Sequence, residues 1–175
     1  FQKASGAWAA LCYKAEMEAA LRTKGLAGFQ LLDLQDFPGQ GTALVGILDA
    51  FMDSKNVISK EEWLQSCNDV VVLLEFPKYC WTTKEKFYAK AMVANYSNKI
   101  LNKELTWEIK YQNGKVFQKG NFDTQSIKNG GITVIGDIEA NLSAVKKNEK
   151  FNLHVSITGS AYSNIYPVWV YNTST

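Results

Sequence analysis

The segment Phe151–Thr158, which reads FNLHVSIT, decides the fold of most of this chain because its residues alternate in polarity. Leu153, Val155 and Ile157 would share one face of an extended strand, with polar residues at the positions between them. A period of two is typical of a β-strand with one buried face. The segment therefore predicts a half-buried strand, and it places the only histidine, His154, on the polar face.

Six further segments have the same richness in β-branched and aromatic residues. They are Val70–Phe76, Phe87–Asn95, Leu105–Tyr111, Val116–Phe122, Ile132–Ile138 and Ile165–Tyr171. Between two of them, Asn113-Gly114 is a signal for a type I′ hairpin. About seven short strands in roughly 100 residues predict a β-sandwich of immunoglobulin-like size over residues 69–175. The chain lacks the Cys…Trp…Cys spacing of antibody domains.

Residues 1–68 have a different pattern, which predicts an α/β structure. Apolar residues at helical spacing, followed by Gly25, predict a helix over Ala4–Thr23. Ala27–Gln35, AGFQLLDLQ, is short and mostly apolar, which favours a strand buried on both faces of a parallel sheet. Ala43–Met52 could form a short strand or helix. Ser59 and Glu62 fit a capping box that begins a helix ending near Cys67.

The composition of the chain disfavours two kinds of partner, nucleic acids and membranes. The 175 residues carry 19 basic and 17 acidic side chains, a net charge of +2. Arg22 is the only arginine, which disfavours a nucleic-acid partner. No apolar run approaches the roughly 20 residues of a membrane helix, so no membrane partner is predicted. Because the chain begins at Phe1, we expect a processed product or a piece of a longer protein.

Few residues point directly to chemistry. Gly39, Gly41 and Gly46 do not have the spacing of a phosphate-binding loop, and their pattern favours tight turns. A lone histidine cannot build a multi-histidine metal site, and three widely spaced cysteines favour ordinary thiols, so neither a metal nor a cofactor is predicted. Asp36 ends a predicted strand, where ligand-binding groups collect in α/β folds, but a structural role as a loop hydrogen-bonding group is equally favoured.

Several aromatic residues could stack on sugar rings, although most should belong to the core of a small sandwich. They are Trp81, Tyr96, Trp107, Tyr162, Tyr166 and Trp169.

Two stretches carry a resemblance to a known family. Gly28–Phe37, GFQLLDLQDF, and Gly46–Lys55, GILDAFMDSK, resemble the last barrel strand and the closing segment of family 2 glycoside hydrolases, the relatives of β-galactosidases and β-glucuronidases. Gly28 and Asp36-Phe37 agree with the family's strand, whereas its tryptophan falls at Leu32. The resemblance is specific over residues 28–67. It implies that residues 1–68 are the last βα part of a (β/α)8 barrel and that the sandwich follows the barrel.

The resemblance implies retaining hydrolysis of O-glycosidic bonds by two glutamates. In the family both glutamates stand on strands that would precede Phe1, so no catalytic residue is expected here and the chain alone should be inactive. Gln35, Asp36 and Gln40 could contribute to substrate binding at the end of the last strand. If so, the Asp36→Ala change in the parent enzyme should raise KM or lower kcat.

Three hypotheses for the role of the chain remain open. The chain would be a fragment of a glycoside hydrolase with a structural or accessory role, a non-catalytic carbohydrate-binding β-sandwich, or a domain that only supports the barrel. The partner would be a carbohydrate substrate held by the parent enzyme. Without the rest of a barrel, apolar residues such as Phe29, Leu32 and Leu44 would be exposed, so we expect them either to pack on the sandwich or to cause self-association of the fragment. A periplasmic or secreted location follows from the resemblance alone.

Overall fold

The computed structural model describes residues 2–40 and 44–173, with every side chain in these ranges except those of Gln2 and Gln40. The chain divides into two compact units, Phe1–Cys67 and Asn68–Thr175. We call them the first and the second unit. The sequence pattern placed the change of character between residues 68 and 69.

The second unit consists of eight strands among its described residues. They are β1 (Val70–Glu75), β2 (Cys80–Thr82), β3 (Lys86–Asn95), β4 (Leu101–Tyr111), β5 (Val116–Ile127), β6 (Gly131–Asn141), β7 (Glu149–Ile157) and β8 (Ser163–Tyr171). One sheet has the order β1-β3-β6, and the other has the order β2-β8-β7-β4-β5. All strand pairs are antiparallel except β2 with β8.

The core of the second unit lies between these two sheets. Leu153, Val155 and Ile157 are buried in it, as their alternation predicts, together with Phe87 and Leu105 from other strands. Hydrogen bonds also join the sheets directly. Asn164 Nδ2 donates to the carbonyl oxygen of Val72 at 2.8 Å, and the backbone NH of Leu74 donates to the Tyr166 hydroxyl at 3.1 Å. Buried polar groups that find such partners avoid the free-energy penalty of desolvation.

The hairpin at Asn113-Gly114 exists, but it is not type I′. A type I′ turn needs positive φ at both central residues, and only Gly114 has it, at 84°. The backbone NH of Tyr111 donates to the Lys115 carbonyl, and that of Gly114 donates back to Tyr111. Three residues therefore separate the paired ends, and the glycine supplies the left-handed position that such a loop requires.

The first unit contains helix α1 (Gln2–Arg22), a 3-10 turn (Pro38–Gln40) and helix α2 (Lys60–Trp63). Ser59 and Glu62 form the predicted capping box, with both reciprocal hydrogen bonds present. The apolar residues whose helical spacing predicts α1 include Trp8 and Leu11, but these two do not belong to its buried face. Trp8 and Leu11 are exposed, while Met17 and Leu21 are buried.

The predicted α/β barrel fragment is wrong. Within the described residues, the stretch expected to form a doubly buried parallel strand makes only one isolated bridge, from Gln35 to Leu48. Asp33 interrupts extended structure with a φ of 59°, and Leu32 is 79% exposed. A parallel strand is stabilised by neighbouring strands and by helices on both faces, and the described first unit supplies no continuous strand beside it.

The segment 43–52 also departs from expectation. Ala43 lies outside the described residues, and residues 44–52 form neither a helix nor a continuous strand. Leu48 makes single bridges to Gln35 and Ser54. The chain as a whole is therefore β-rich rather than α/β.

Candidate functional site

Asp36, the central residue of the predicted binding site, is buried in a network of its own unit. Its side chain is 7% exposed. Oδ1 accepts a hydrogen bond from the backbone NH of Gly46 at 3.0 Å and another from Lys55 Nζ at 2.9 Å. Oδ2 also accepts from Lys55 Nζ, at 3.1 Å. The carboxylate is thereby neutralised by one ammonium group and held by one backbone amide.

Lys55 is equally engaged on its other side. Its Nζ donates to the carbonyl oxygen of Gly46 at 2.9 Å and lies 3.3 Å from that of Leu44. An ammonium group has three hydrogens, and four oxygen atoms surround this one. The Lys55 ammonium therefore has no hydrogen left for a ligand, and the charge of the Asp36 carboxylate is already matched by it. Both side chains therefore hold residues 36, 46 and 55 together.

Gly46 makes this arrangement possible. A Cβ atom at this position would lie 2.4 Å from the carbonyl carbon of Gln35 and 2.5 Å from the backbone nitrogen of Asp36. Such distances are far below van der Waals contact, so a side chain cannot be accommodated without moving the backbone. The close approach lets the Gly46 amide reach the carboxylate of Asp36.

Of the other two predicted binding residues, Gln35 is the one whose side chain is described, and it does not converge with Asp36. Gln35 is exposed, and its neighbour Asp36 is buried. Gln40 ends the 3-10 turn, and its side chain lies outside the described residues. A pocket of about 180 Å³ lies nearby, lined by Ser5, Gly6, Ala9, Leu44, Val45, Gly46, Ile47, Lys55 and Val57. Its one charged lining residue is Lys55, which is already bound by Asp36.

A second candidate surface lies on the outer face of the five-stranded sheet. Along β8 the core residues Val168 and Val170 alternate with outward residues, so Trp169 lies on the side away from the core. We call three of the outward residues of β8, Ile165, Pro167 and Trp169, the apolar column. We call six of the outward residues of β4 and β7 the polar strip: Thr106, Glu108, Lys110, Asn152, His154 and Ser156.

Strand register aligns the column with the strip. Ile165 is paired with His154, and Pro167 is paired with Asn152. His154 is paired on its other side with Glu108. Directly paired residues on one sheet face have Cβ atoms about 5 Å apart. The sheet thus places an apolar surface directly beside amide, hydroxyl, imidazole and charged groups.

Charged neighbours set the protonation states on the polar strip. Lys110 Nζ lies 2.6 Å from Glu108 Oε2. This hydrogen bond is the main reason that the pKa of Glu108 lies below its usual value. Burial lowers the pKa of His154, and nearby Lys110 lowers it further, whereas Glu108 acts in the opposite direction. Near neutral pH, Glu108 is therefore ionised and His154 is uncharged.

Trp169 has a positive neighbour. Lys150 is its partner on β7, and the Lys150 Nζ lies 5.5 Å from the centre of a Trp169 ring. A lysine at this distance is attracted by the negative face of an indole. Trp169 could be selected from the sequence as an aromatic candidate, whereas Lys150 and Lys110 could not. Alternation indicates which residues share a face of one strand, but the register between strands shows which residues are neighbours.

The remaining aromatic candidates are distributed between core and surface. Trp81, Trp107 and Tyr166 are buried, as expected for most of the set. Tyr96 is exposed, and Tyr162 is half-buried. Among the described residues, no group of three or more His, Cys, Asp and Glu side chains could hold a metal ion. Neither described helix is both long and apolar enough to span a membrane.

Comparison with protein families gives one match, to the family described as "Domain of unknown function (DUF8488)", over residues 85–172. The match covers half of the 175 residues. The chain belongs to this family. The DUF8488 region begins at the start of β3 and extends to the end of β8, so it includes both the apolar column and the polar strip. No curated protein matches the sequence.

Solved structures show only distant likeness. The alkylpurine DNA glycosylase AlkC of Pseudomonas fluorescens is 11% identical with a TM-score of 0.46, and the match covers 64% of this chain and 33% of that one. For a β-glucosidase of Listeria innocua the identity is 9%, the TM-score 0.43, and the coverage 58% and 16%. A CARDB domain from Pyrococcus furiosus is 11% identical with a TM-score of 0.43, covering 58% and 87%. This chain thus spans a third or less of the first two proteins, and none of these scores supports a functional argument.

Proposed function

We propose that this chain is a non-catalytic accessory part of a retaining O-glycoside hydrolase related to family 2, and that its own role is structural. The observation that carries the proposal is the pairing of Asp36 with Lys55. These two residues belong to the two separate stretches that resemble the family, and in the folded chain their side chains bind each other. A pair used in this way supports the packing of residues 46–55 against Asp36 rather than the chemistry of a substrate.

The hydrogen bonds of Asp36 and Lys55 support the same structural role. The Asp36 carboxylate and the Lys55 ammonium have protein partners at 2.9–3.1 Å, and both side chains are largely withdrawn from water. Turning either side chain out of the pair toward a substrate would leave the other as a buried charge without a partner, which is strongly unfavourable. On this proposal Asp36 positions the loop, and the earlier assignment of Asp36 to substrate binding is replaced by a positioning role.

Hydrolysis assays test the proposal. The full 175-residue chain is expected to release no nitrophenol from a panel of nitrophenyl galactosides, glucosides and glucuronides above the rate in buffer. Retaining hydrolysis needs two carboxyl groups about 5–5.5 Å apart, and the proposal assigns them to an upstream part of the parent. Hydrolysis by this chain would contradict it. The gene upstream of the Phe1 codon is expected to encode a glutamate at the end of a strand, and a stop codon there in the same reading frame would also contradict it.

A carbohydrate-binding module is the second candidate function, and the position of Trp169 favours it. An outward-facing indole beside polar side chains offers both an apolar platform and hydrogen-bonding groups, which is the combination that sugars require. Affinity electrophoresis of the chain in gels containing galactan or glucuronan separates the two candidates. Retardation in either gel favours the module, whereas unchanged mobility in both favours the purely structural role.

Partner and location are parts of the same proposal. The first unit exposes Trp8, Leu32 and Phe51 by 68%, 79% and 86%. Exposed side chains of this size support self-association of the isolated chain, which light scattering would detect as a mass above 19.6 kDa. The resemblance to family 2 glycoside hydrolases supports a periplasmic or secreted location, which cell fractionation would test.

A further inference from the structure

We propose that the outer face of the five-stranded sheet binds an acidic glycan, with Trp169 as the stacking platform and lysines as the groups that select a carboxylated sugar. The inference rests on the second candidate function, carbohydrate binding. It adds the location of the binding surface and the chemical class of the sugar.

The apolar column supplies the stacking surface. Ile165, Pro167 and Trp169 occupy alternate positions of β8, so their side chains follow one another on the same face at about 6.6 Å intervals. Trp81 and Trp107, the other tryptophans of the second unit, are 5% and 8% exposed and belong to the core. Trp169 is half-buried and faces outward, so it is the tryptophan of this unit whose ring can meet the apolar face of a pyranose.

The polar strip supplies directional contacts beside this platform. Asn152 adjoins Pro167, and His154 adjoins Ile165, each in the register pairing of β7 with β8. Asn152 offers both a donor and an acceptor, and neutral His154 offers one of each. Sugar hydroxyl groups need such mixed partners. Farther from the column, the Thr106 and Ser156 hydroxyls bind each other at 3.0 Å, so the useful polar groups are those nearest to β8.

The charge of the face selects the class of sugar. Lys110, Lys119 and Lys150 lie on it, together with the carboxylates of Glu104 and Glu108 on β4. Glu108 is already paired with Lys110 and also lies in the field of Lys119. Lys150 instead lies over Trp169, where its contact is an indole ring rather than a carboxylate. A carboxylated sugar stacked at Trp169 would bring its negative charge to this lysine.

The second unit has no arginine, because Arg22, the only arginine of the chain, belongs to the first unit. Nucleic-acid recognition favours arginine, whereas one lysine point charge beside a stacked ring, such as Lys150 beside Trp169, can meet one sugar carboxylate. The occupant that the face fits is therefore a uronic-acid oligosaccharide, bound by one stacked ring and a salt-sensitive contact to Lys150.

Affinity electrophoresis of the full chain tests this with three polymers: glucuronan, neutral galactan and poly-L-glutamate. We expect retardation by glucuronan that weakens as salt is raised, with little retardation by the other two. Trp169→Ala should weaken glucuronan binding by about tenfold, the scale of one aromatic stacking contact. Trp169→Phe should retain most of the binding, which separates loss of the platform from loss of the fold. Lys150→Met should reduce both the affinity and its salt dependence.

Tyr96→Ala is the matched control, because Tyr96 is 45% exposed and lies outside the apolar column. It should leave binding unchanged, and an effect as large as that of Trp169→Ala would overturn the assigned surface. Equal retardation by poly-L-glutamate would reduce the effect to charge alone and would overturn the proposal. Retardation by galactan alone would overturn the acidic sugar but retain the carbohydrate-binding candidate. Retardation by neither glycan would overturn both and leave the structural role standing.

Discussion

The two units of the chain differ most in how far their apolar side chains are buried. In the second unit, residues of both sheets form one buried cluster that includes Phe151, Leu153 and Val155. In the described part of the first unit, the buried hydrophobic residues are Met17, Leu21 and Ile47. The same unit exposes a larger set of big apolar side chains: Trp8, Leu11, Leu26, Phe29, Leu32, Leu34, Phe37, Leu44, Val45, Phe51, Met52 and Leu64.

This difference shows that the two units are held by different forces. Burial of apolar surface is the dominant favourable term in folding, and the second unit buries a large apolar cluster between its sheets. The first unit buries few apolar side chains and also contains buried ion pairs. Glu18 is buried between Lys14, at 2.8 Å, and Arg22, at 3.3 Å, while Asp36 is buried against Lys55. Buried ion pairs contribute little net stability but are costly to break, so the first unit should be sensitive to single charge removals.

The largest expected effect is the loss of a core ring from the second unit. Phe151 is fully buried and packs on Tyr111 and Phe117, with ring centres 4.9 and 5.1 Å away. Phe151→Ala should lower the free energy of unfolding by about 3–5 kcal/mol in urea titrations followed by circular dichroism. Leu32→Ala, at an exposed position of the first unit, should change it by less than about 0.5 kcal/mol. Equal effects would remove the contrast between the units.

Breaking the buried ion pair should have the next largest effect, and it should be local to the first unit. Lys55→Met leaves the Asp36 carboxylate buried without its cation, at a cost of about 3 kcal/mol. Hydrogen exchange should accelerate at the amides of Asp36, Gly46 and Ile47, which are hydrogen-bonded in this network.

Two variants serve as controls for the ion pair. Combining Asp36→Asn with Lys55→Met should restore part of the protection, because no unpaired charge remains. Lys86→Met breaks the exposed pair with Glu139 in the second unit and should cost less than about 1 kcal/mol. Unchanged hydrogen exchange in the Lys55→Met variant would show that the ion pair does not stabilise the first unit.

The smallest expected effect is a pH dependence confined to the second unit, which contains the only histidine. Burial and Lys110 lower the pKa of His154 below its ordinary 6.5, with Glu108 opposing them, so the unfolded chain binds this proton more readily. Stability from this group is present above pH 6.5 and is lost as the pH falls through the folded pKa. His154→Gln should make the melting temperature less dependent on pH over this window. An unaltered slope would assign the pH dependence to other groups.

Local patterns predicted the elements that depend on neighbouring residues. Alternation predicted the strand around Leu153, and the Ser59–Glu62 spacing predicted the capping box, because the partners of each feature lie within a few residues. The buried face of α1 could not be predicted in the same way. Trp8 is more hydrophobic than Glu18, yet Glu18 is buried, because Lys14 and Arg22 neutralise its carboxylate there.

The candidate sites also depend on contacts between residues that are far apart in the sequence, which local patterns cannot predict. Asp36 was identified from its place after an apolar segment, but its partner Lys55 is 19 residues away, and only the folded chain reveals that the two bind each other. Likewise, Trp169 could be selected as an aromatic residue, whereas its contact with Lys150 depends on the register of β7 with β8.

The sequence by itself determined that residues after about 68 form short strands around an apolar core, because side-chain alternation is a property of each strand alone. Only the tertiary structure decided that the apolar stretch Ala27–Gln35 is no buried strand. Its composition would suit the centre of a parallel sheet, but a sheet is made by pairing, and within the described residues Gln35 is the position of this stretch that forms a bridge. A run of hydrophobic residues shows that a segment can be buried. Whether the segment is buried depends on the neighbouring elements that the fold places beside it.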